Sequence, residues 1–220
     1  MKQFALLRSM LQFDTVQKHY GNFLAIDIPS LTVADGVYWL QGENGSGKTS
    51  FLKMIGGLHP FTGDISLNGS GIKKNRVSFL QKVNYAEAEP LYPSFLTGKD
   101  LVKLYCETKK INEQQALELL GQLHITDAYN KPLGAYSSGM LKKLSLVLAF
   151  TGNPKWILLD EPLITLDTNA VEFICSLINT SYAQKGISFI ITSHQPFQDN
   201  TLHLTGTMVA ANQTISLINA

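Results

Sequence analysis

Gly42-Glu43-Asn44-Gly45-Ser46-Gly47-Lys48-Thr49 decides the fold. A glycine, four further residues, then glycine, lysine and a hydroxyl residue form the phosphate-loop pattern, and its flanks agree with it. Val37 to Leu40 reads as a buried strand and Ser50 to Ile55 as the start of a helix. Glycines let the backbone curl so that its N–H groups point inward, where phosphate oxygens also meet the positive end of the following helix. Gly42, Asn44, Gly45, Ser46, Gly47 and Ser50 are therefore expected to line a triphosphate, with Lys48 reaching its β- and γ-phosphates. The Thr49 hydroxyl suits Mg²⁺, a hard ion that takes oxygen ligands.

Two rival readings of a glycine-rich loop fail. A dinucleotide fold needs a third glycine where this chain has Ser50 and its neighbours. A guanine reader of the NKxD type is missing, because Asn130-Lys131 continues into Pro132-Leu133. Adenine is the better expectation.

Downstream, Trp156-Ile157-Leu158-Leu159 runs into Asp160-Glu161. A buried parallel strand delivers such a pair of acids to its carboxyl end, where open α/β sheets bind ligands. There Asp160 is expected to hold Mg²⁺ and Glu161 to polarise the attacking water.

The rest of the chain fits an α/β class. Leu11 to Val16, Leu24 to Ile28, Val37 to Leu40 and Asp64 to Leu67 read as strands, the last entering the turn Asn68-Gly69-Ser70-Gly71, so an antiparallel β portion is expected near the N-terminus. Val77 to Leu80 reads as a further strand. From about Thr97 the apolar residues Leu101, Leu104, Tyr105, Ala116, Leu117, Leu119, Leu120 and Leu123 recur at helical spacing. Thr97 and Asn112 are the expected N-caps of two helices, and a third ends before Gly152-Asn153-Pro154. An inserted helical subdomain over roughly 87–151 follows, then the strand Trp156 to Leu159, a helix from Thr168 to Tyr182, and the strand Ile187 to Ile191. Apolar strand runs with helices between them describe a mixed, largely parallel sheet covered on both faces.

Composition narrows the partners. The 220 residues carry 18 Lys plus Arg against 17 Asp plus Glu, a net charge of +1 that gives no electrostatic reason for a nucleic-acid partner. Charged residues make up 16% of the chain against a typical ~25%, which leaves uncharged surface for other proteins. Cys106 and Cys175 stand outside any CxxC pattern and read as reduced core residues. Arg8 interrupts the short apolar stretch at the N-terminus, which does not read as an export signal. No apolar run approaches the ~18 residues that span a bilayer, so any membrane part is expected on another chain.

Between the two phosphate-related motifs, Tyr136-Ser137-Ser138-Gly139-Met140 directly precedes the helical run Leu141 to Phe150. Here the chain resembles the ABC ATPase family, whose signature stands just ahead of the acidic strand. Ser137 and Gly139 match the family's serine and second glycine, whereas Ser138 replaces its first glycine and Met140 its glutamine. The resemblance implies a P-loop NTPase core in one ABC ATPase domain over residues 1–220, with ATP and Mg²⁺ bound. It further implies that Ser137 and Gly139 contact the γ-phosphate held by an opposite subunit, a second copy or a homologous ATPase. It assigns Tyr20 to adenine stacking, Gln81 to sensing Mg²⁺ and the attacking water, Asp167 to coupling across the dimer and His194 to the γ-phosphate. The resemblance is to exporters with separate membrane subunits, and it implies an ATPase at the inner face of the cell membrane that drives a transmembrane permease. A soluble ABC ATPase acting on nucleic acid or ribosomes is the alternative.

Overall fold

The computed structural model describes residues 9–193 and 201–219, the side chain of the last excepted. The reading of the extreme N-terminus and the placement of His194 lie outside those residues.

Two sheets form the frame. In the first, β1 (Leu11–Tyr20) pairs antiparallel with β2 (Phe23–Val33) and with β4 (Thr62–Leu67), which is prolonged by β5 (Ser70–Gly71), giving the order β2-β1-β4-β5. This is the antiparallel portion that the alternating pattern predicts. The second sheet has six strands in the order β10-β9-β3-β8-β7-β6. Its β3 (Val37–Gln41), β6 (Val83–Ala86), β7 (Trp156–Leu159), β8 (Ser188–Thr192) and β9 (Gly206–Ala211) run parallel, and β10 (Thr214–Asn219) closes one edge antiparallel.

Successive residues of a strand face opposite sides, and β7 feeds a core on each. Trp156 and Leu158 pack with Phe13, Phe51 and Ile190 under the first sheet and the helix α1 (Lys48–Ile55), whereas Ile157 and Leu159 pack with Phe189, Leu144 and Ile174. That second core lies under α5 (Ser138–Phe150) and α6 (Thr168–Lys185). Cys106 and Cys175 are buried free thiols, as the composition suggests.

Between β6 and β7 the chain is helical, with α3 (Gly98–Lys109), α4 (Gln114–Gln122) and α5. Thr97 caps α3 through a complete capping box with Asp100, satisfying backbone donors at both ends of the first turn. The cap expected at Asn112 falls one residue later, at Glu113, although Asn112 Oδ1 accepts the N–H of Gln114. α5 differs from its neighbours in character: Leu144 and Leu146–Phe150 are buried, so its C-terminal half belongs to the central core.

Val77 to Leu80, expected as a strand, is a single helical turn, α2 (Arg76–Leu80). Phe79 alone among its residues is buried, and the backbone N–H groups of Phe79 and Gln81 bond back to Asn75 and Val77. Three apolar residues around Ser78 fit either periodicity, and here the helical one wins. No helix among the described residues is long and apolar enough to cross a membrane.

Candidate active site

Strand register brings the motifs together. Leu40 is aligned with Thr192, Ile191 with Leu159, and Leu159 with Ala86, all in parallel. The segments that follow Gln41, Thr192, Leu159 and Ala86 therefore emerge side by side at one edge of the sheet. That edge holds the phosphate loop, the end of β8, the Asp160-Glu161 pair and the loop after β6.

Within the phosphate loop Gly42, Gly45 and Gly47 have φ of +154°, +80° and +98°. A Cβ on Gly42 would come to 2.5 Å from the Ala210 carbonyl oxygen, so that position takes only glycine. Gly47 stands at the N-terminus of α1, where the unpaired N–H groups face the loop. Lys48 is buried, and its ammonium donates to the carbonyls of Gly42 at 2.7 Å and Glu43 at 2.9 Å. It thus spans the mouth of the loop from within. Ser46 Oγ is buried with no hydrogen-bond partner among the described residues, and Thr49 is exposed at the start of α1.

Tyr20 ends β1 beside α1, with its hydroxyl 2.9 Å from Ser50 Oγ and 3.0 Å from His59 Nδ1. The residue is 46% exposed, enough to offer ring surface to a planar ligand, and the Lys18 ammonium sits 4.5 Å from the ring centroid. Burial first, and the nearby Lys18 and Lys53 charges second, lower the His59 pKa.

Asp160 is 1% exposed, yet both carboxylate oxygens are held: Oδ1 accepts from Thr192 Oγ1 at 2.8 Å and Oδ2 from the Tyr85 hydroxyl at 3.2 Å. Burial, and then the Asp160 charge, push the Tyr85 pKa well above its usual value, which keeps the phenol a donor. Glu161 is buried in the left-handed region at φ +46°, and its N–H donates to Thr192 Oγ1 at 2.8 Å. Lys142, on α5, donates to the carbonyls of Glu87, Ala88 and Asp160. Burial lowers its pKa to about 8, against the pull of Asp160, Glu161 and Glu87. Thr192, Tyr85 and Lys142 escape sequence reasoning because each sits inside an ordinary strand or helix pattern with no motif of its own.

Ser137 is the N-cap of α5, its Oγ accepting the Met140 N–H at 3.2 Å, and both Ser137 and Ser138 are exposed. The buried Tyr136 anchors this segment through a hydrogen bond to the Ala128 carbonyl. Gly139 lies against the neighbouring loop, since a Cβ there would come to 2.9 Å from the Thr165 carbonyl oxygen. Asp167 caps α6 through Ala170 and pairs with Lys143 at 2.6 Å, joining that loop to α5.

Gln81, expected beside Mg²⁺ and the attacking water, lies elsewhere. It caps the C-terminus of α2 before β6 begins, so it lies at the amino end of a strand whose carboxyl end meets Asp160. It lines a separate cavity with Asn84, Lys109 and Asn153, away from the edge that carries Asp160. The residues that do follow β6 at the site edge are Glu87, Ala88 and Glu89, with Glu87 3.7 Å from the Lys53 ammonium.

The site's oxygen donors suit Mg²⁺. Asp160 supplies a buried carboxylate whose protein partners are neutral hydroxyls, and Thr49 an exposed hydroxyl; the nucleotide and water would complete an octahedron.

Comparison with known proteins agrees with this geometry. Residues 27–164 match the family model described as ABC transporter. The ATP-binding cassette sub-family A member 2 of Rattus norvegicus is 33% identical over 84% of this chain, which spans 8% of that protein. The bacitracin transport ATP-binding protein BcrA of Enterococcus faecalis is 31% identical over 86% of this chain, which spans 62% of it. A dimeric structure of a post-hydrolysis state of the ATP-binding cassette MJ0796, bound to ADP and Pi, superposes with a TM-score of 0.82 at 19% identity, over 95% of this chain and 98% of that one. With the family model matching well over half of its length and the cassette fold laid out around the phosphate loop, the chain belongs to the ABC transporter family.

Proposed function

We propose that the chain binds MgATP at the sheet edge, hydrolyses it, and powers transport through a separate membrane subunit by ATP-driven closure of two ATPase chains. The observation that carries this reading is the register that sets the phosphate loop and the Asp160-Glu161 pair on one edge, with β8 between them. The relatives named as ATP-binding proteins support ATP as the nucleotide.

In this reading Lys48 and the loop N–H groups hold the β- and γ-phosphates, and the Tyr20 ring stacks on adenine. Mg²⁺, held by Thr49 and Asp160, would neutralise phosphate charge. Glu161 accepts a proton from the attacking water, its backbone fixed by Thr192. Ser137, exposed at the N-terminus of α5, and Gly139 two residues on receive the γ-phosphate bound by the opposite subunit. ATP touches both surfaces only when they close, so it has the differential affinity that shifts the equilibrium. Moving a pair from 1:99 to 99:1 takes about 5.5 kcal/mol, within reach of charged hydrogen bonds made twice. The chain would lie on the inner face of the membrane, docking through the helical segment, where Leu91, Phe95 and Leu104 are exposed.

Size measurement with ATP and Mg²⁺ tests the mechanism. Glu161→Gln is expected to bind ATP, turn it over very slowly and accumulate as a dimer; a variant that stays monomeric at high concentration overturns dimer closure. Lys48→Ala is expected to lose tight ATP binding and turnover together, and unchanged hydrolysis would remove the phosphate-loop assignment.

A further inference from the structure

Lys142 is the most buried cation among the described residues, at 1% exposure, and it forms no ion pair among them. A buried ammonium is costly, and a methionine of similar length would fill the same space without that cost. The site keeps the amine because all of its three donors are used: the acceptors are the carbonyls of Glu87 at 2.8 Å, Ala88 at 3.0 Å and Asp160 at 2.9 Å. These carbonyls belong to two segments, the one leaving β6 and the one leaving β7, both at the edge where nucleotide is read. The lysine itself stands five residues after Ser137, on the helix whose N-terminus faces outward.

We propose that Lys142 is a positioning residue for hydrolysis, fastening the ends of β6 and β7 to the helix that meets the second subunit's ATP. The inference rests on the function proposed above and deepens it. Thr192 and Tyr85 hold the Asp160 side chain from within the sheet; Lys142 holds its peptide from α5, so displacement of the Ser137 segment is passed to Asp160 and to Glu161 beside it. The lysine touches neither phosphate nor water in this account. Its effect falls on turnover, and nucleotide affinity is left to the phosphate loop and Tyr20.

Steady-state hydrolysis and equilibrium ATP binding of the whole chain, as wild type, Lys142→Met and Lys142→Gln, test it. For Lys142→Met the expected result is a fall of at least tenfold in kcat, with KM and the Kd for ATP within threefold of wild type. Lys142→Gln, which keeps an amide donor for some of the carbonyls, should recover part of the loss. The proposal is overturned by a Lys142→Met kcat within twofold of wild type, by a change confined to KM, or by a glutamine variant no better than methionine. Circular dichroism and melting establish folding. Should the methionine variant not fold, the glutamine variant decides alone: a threefold or larger loss of kcat at unchanged Kd supports the proposal, and wild-type turnover refutes it. A wild-type chain that neither binds nor hydrolyses ATP overturns the function itself, and this proposal with it, whereas an active wild type with an indifferent Lys142→Met overturns this proposal alone.

Discussion

Thr192 and Asp160 are joined by a 2.8 Å hydrogen bond from the threonine hydroxyl to Oδ1, and the same hydroxyl accepts the N–H of Glu161 at 2.8 Å. One buried oxygen at the end of β8 thus fixes both acids at the end of β7. Thr192→Val keeps the shape and removes the hydroxyl, leaving the Glu161 N–H and one Asp160 oxygen without that partner. Stranding such groups costs about 1–3 kcal/mol, which for a chain of this size lowers Tm by roughly 2–4 °C per kcal/mol. Hydrolysis is expected to fall about tenfold while ATP binding changes little, and Thr192→Ser should behave as wild type. A valine variant with full turnover would show that the acids position themselves.

The residues that sequence reasoning reached and those it missed differ in a physical way. The phosphate loop and β7 are legible because their chemistry is local: three glycines at positive φ before a lysine, and four apolar residues before two acids. β6 is not legible because Asn84 interrupts its apolar pattern, and that asparagine is buried with its Nδ2 donating to the Ala149 and Thr151 carbonyls across the fold. The apolar turn at Val77 mimics a strand in its place, and Gln81, which follows that turn, sits at the amino end of β6 and not at its carboxyl end. The hairpin of β9 and β10 escaped because its turn, Asn212-Gln213, has both residues at positive φ without the glycine that marks such turns.

Tyr20 makes its hydrogen bonds with the hydroxyl and leaves ring surface exposed. Stacking on an aromatic is worth about 1–3 kcal/mol per base. Tyr20→Ala is therefore expected to weaken ATP binding by roughly tenfold or more in a fluorescence titration, whereas Tyr20→Phe, which keeps the ring, should stay within about threefold of wild type. Equal losses for the two variants would assign the binding energy to the hydroxyl network.

Lys109 adds a pH signature to stability. Burial lowers its pKa from 10.5 to about 8 while its ammonium donates to the Leu80 and Val83 carbonyls. Below about pH 8 folded and unfolded chains both hold the proton and the burial cost is felt in full. Between there and 10.5 the unfolded chain still holds the proton that the folded chain has released, so this group's contribution to stability rises with pH. The Tm of Lys109→Met minus that of wild type should accordingly shrink between pH 8 and 10. A constant difference would mean that the amine titrates alike in both states.

Gly139 separates closure from binding. A Cβ there meets the Thr165 carbonyl oxygen at 2.9 Å, and Thr165 is itself in the left-handed region at φ +65°, so the loop has little freedom to retreat. The methyl of Gly139→Ala must push the start of α5 away from the loop that carries Asp167, and the Lys143 to Asp167 pair resists that motion. Lys48 and the phosphate loop lie on β3 and α1 and make no contact with this strain, so a single chain should bind ATP as before. What fails is the fit of the Ser137 segment to the opposite nucleotide. In a Glu161→Gln background, Gly139→Ala is expected to keep the Kd for ATP within about threefold and to abolish the ATP-dependent dimer in size measurement. A stable dimer in that double variant would remove the Ser137 segment from the closing surface, even with ATP bound.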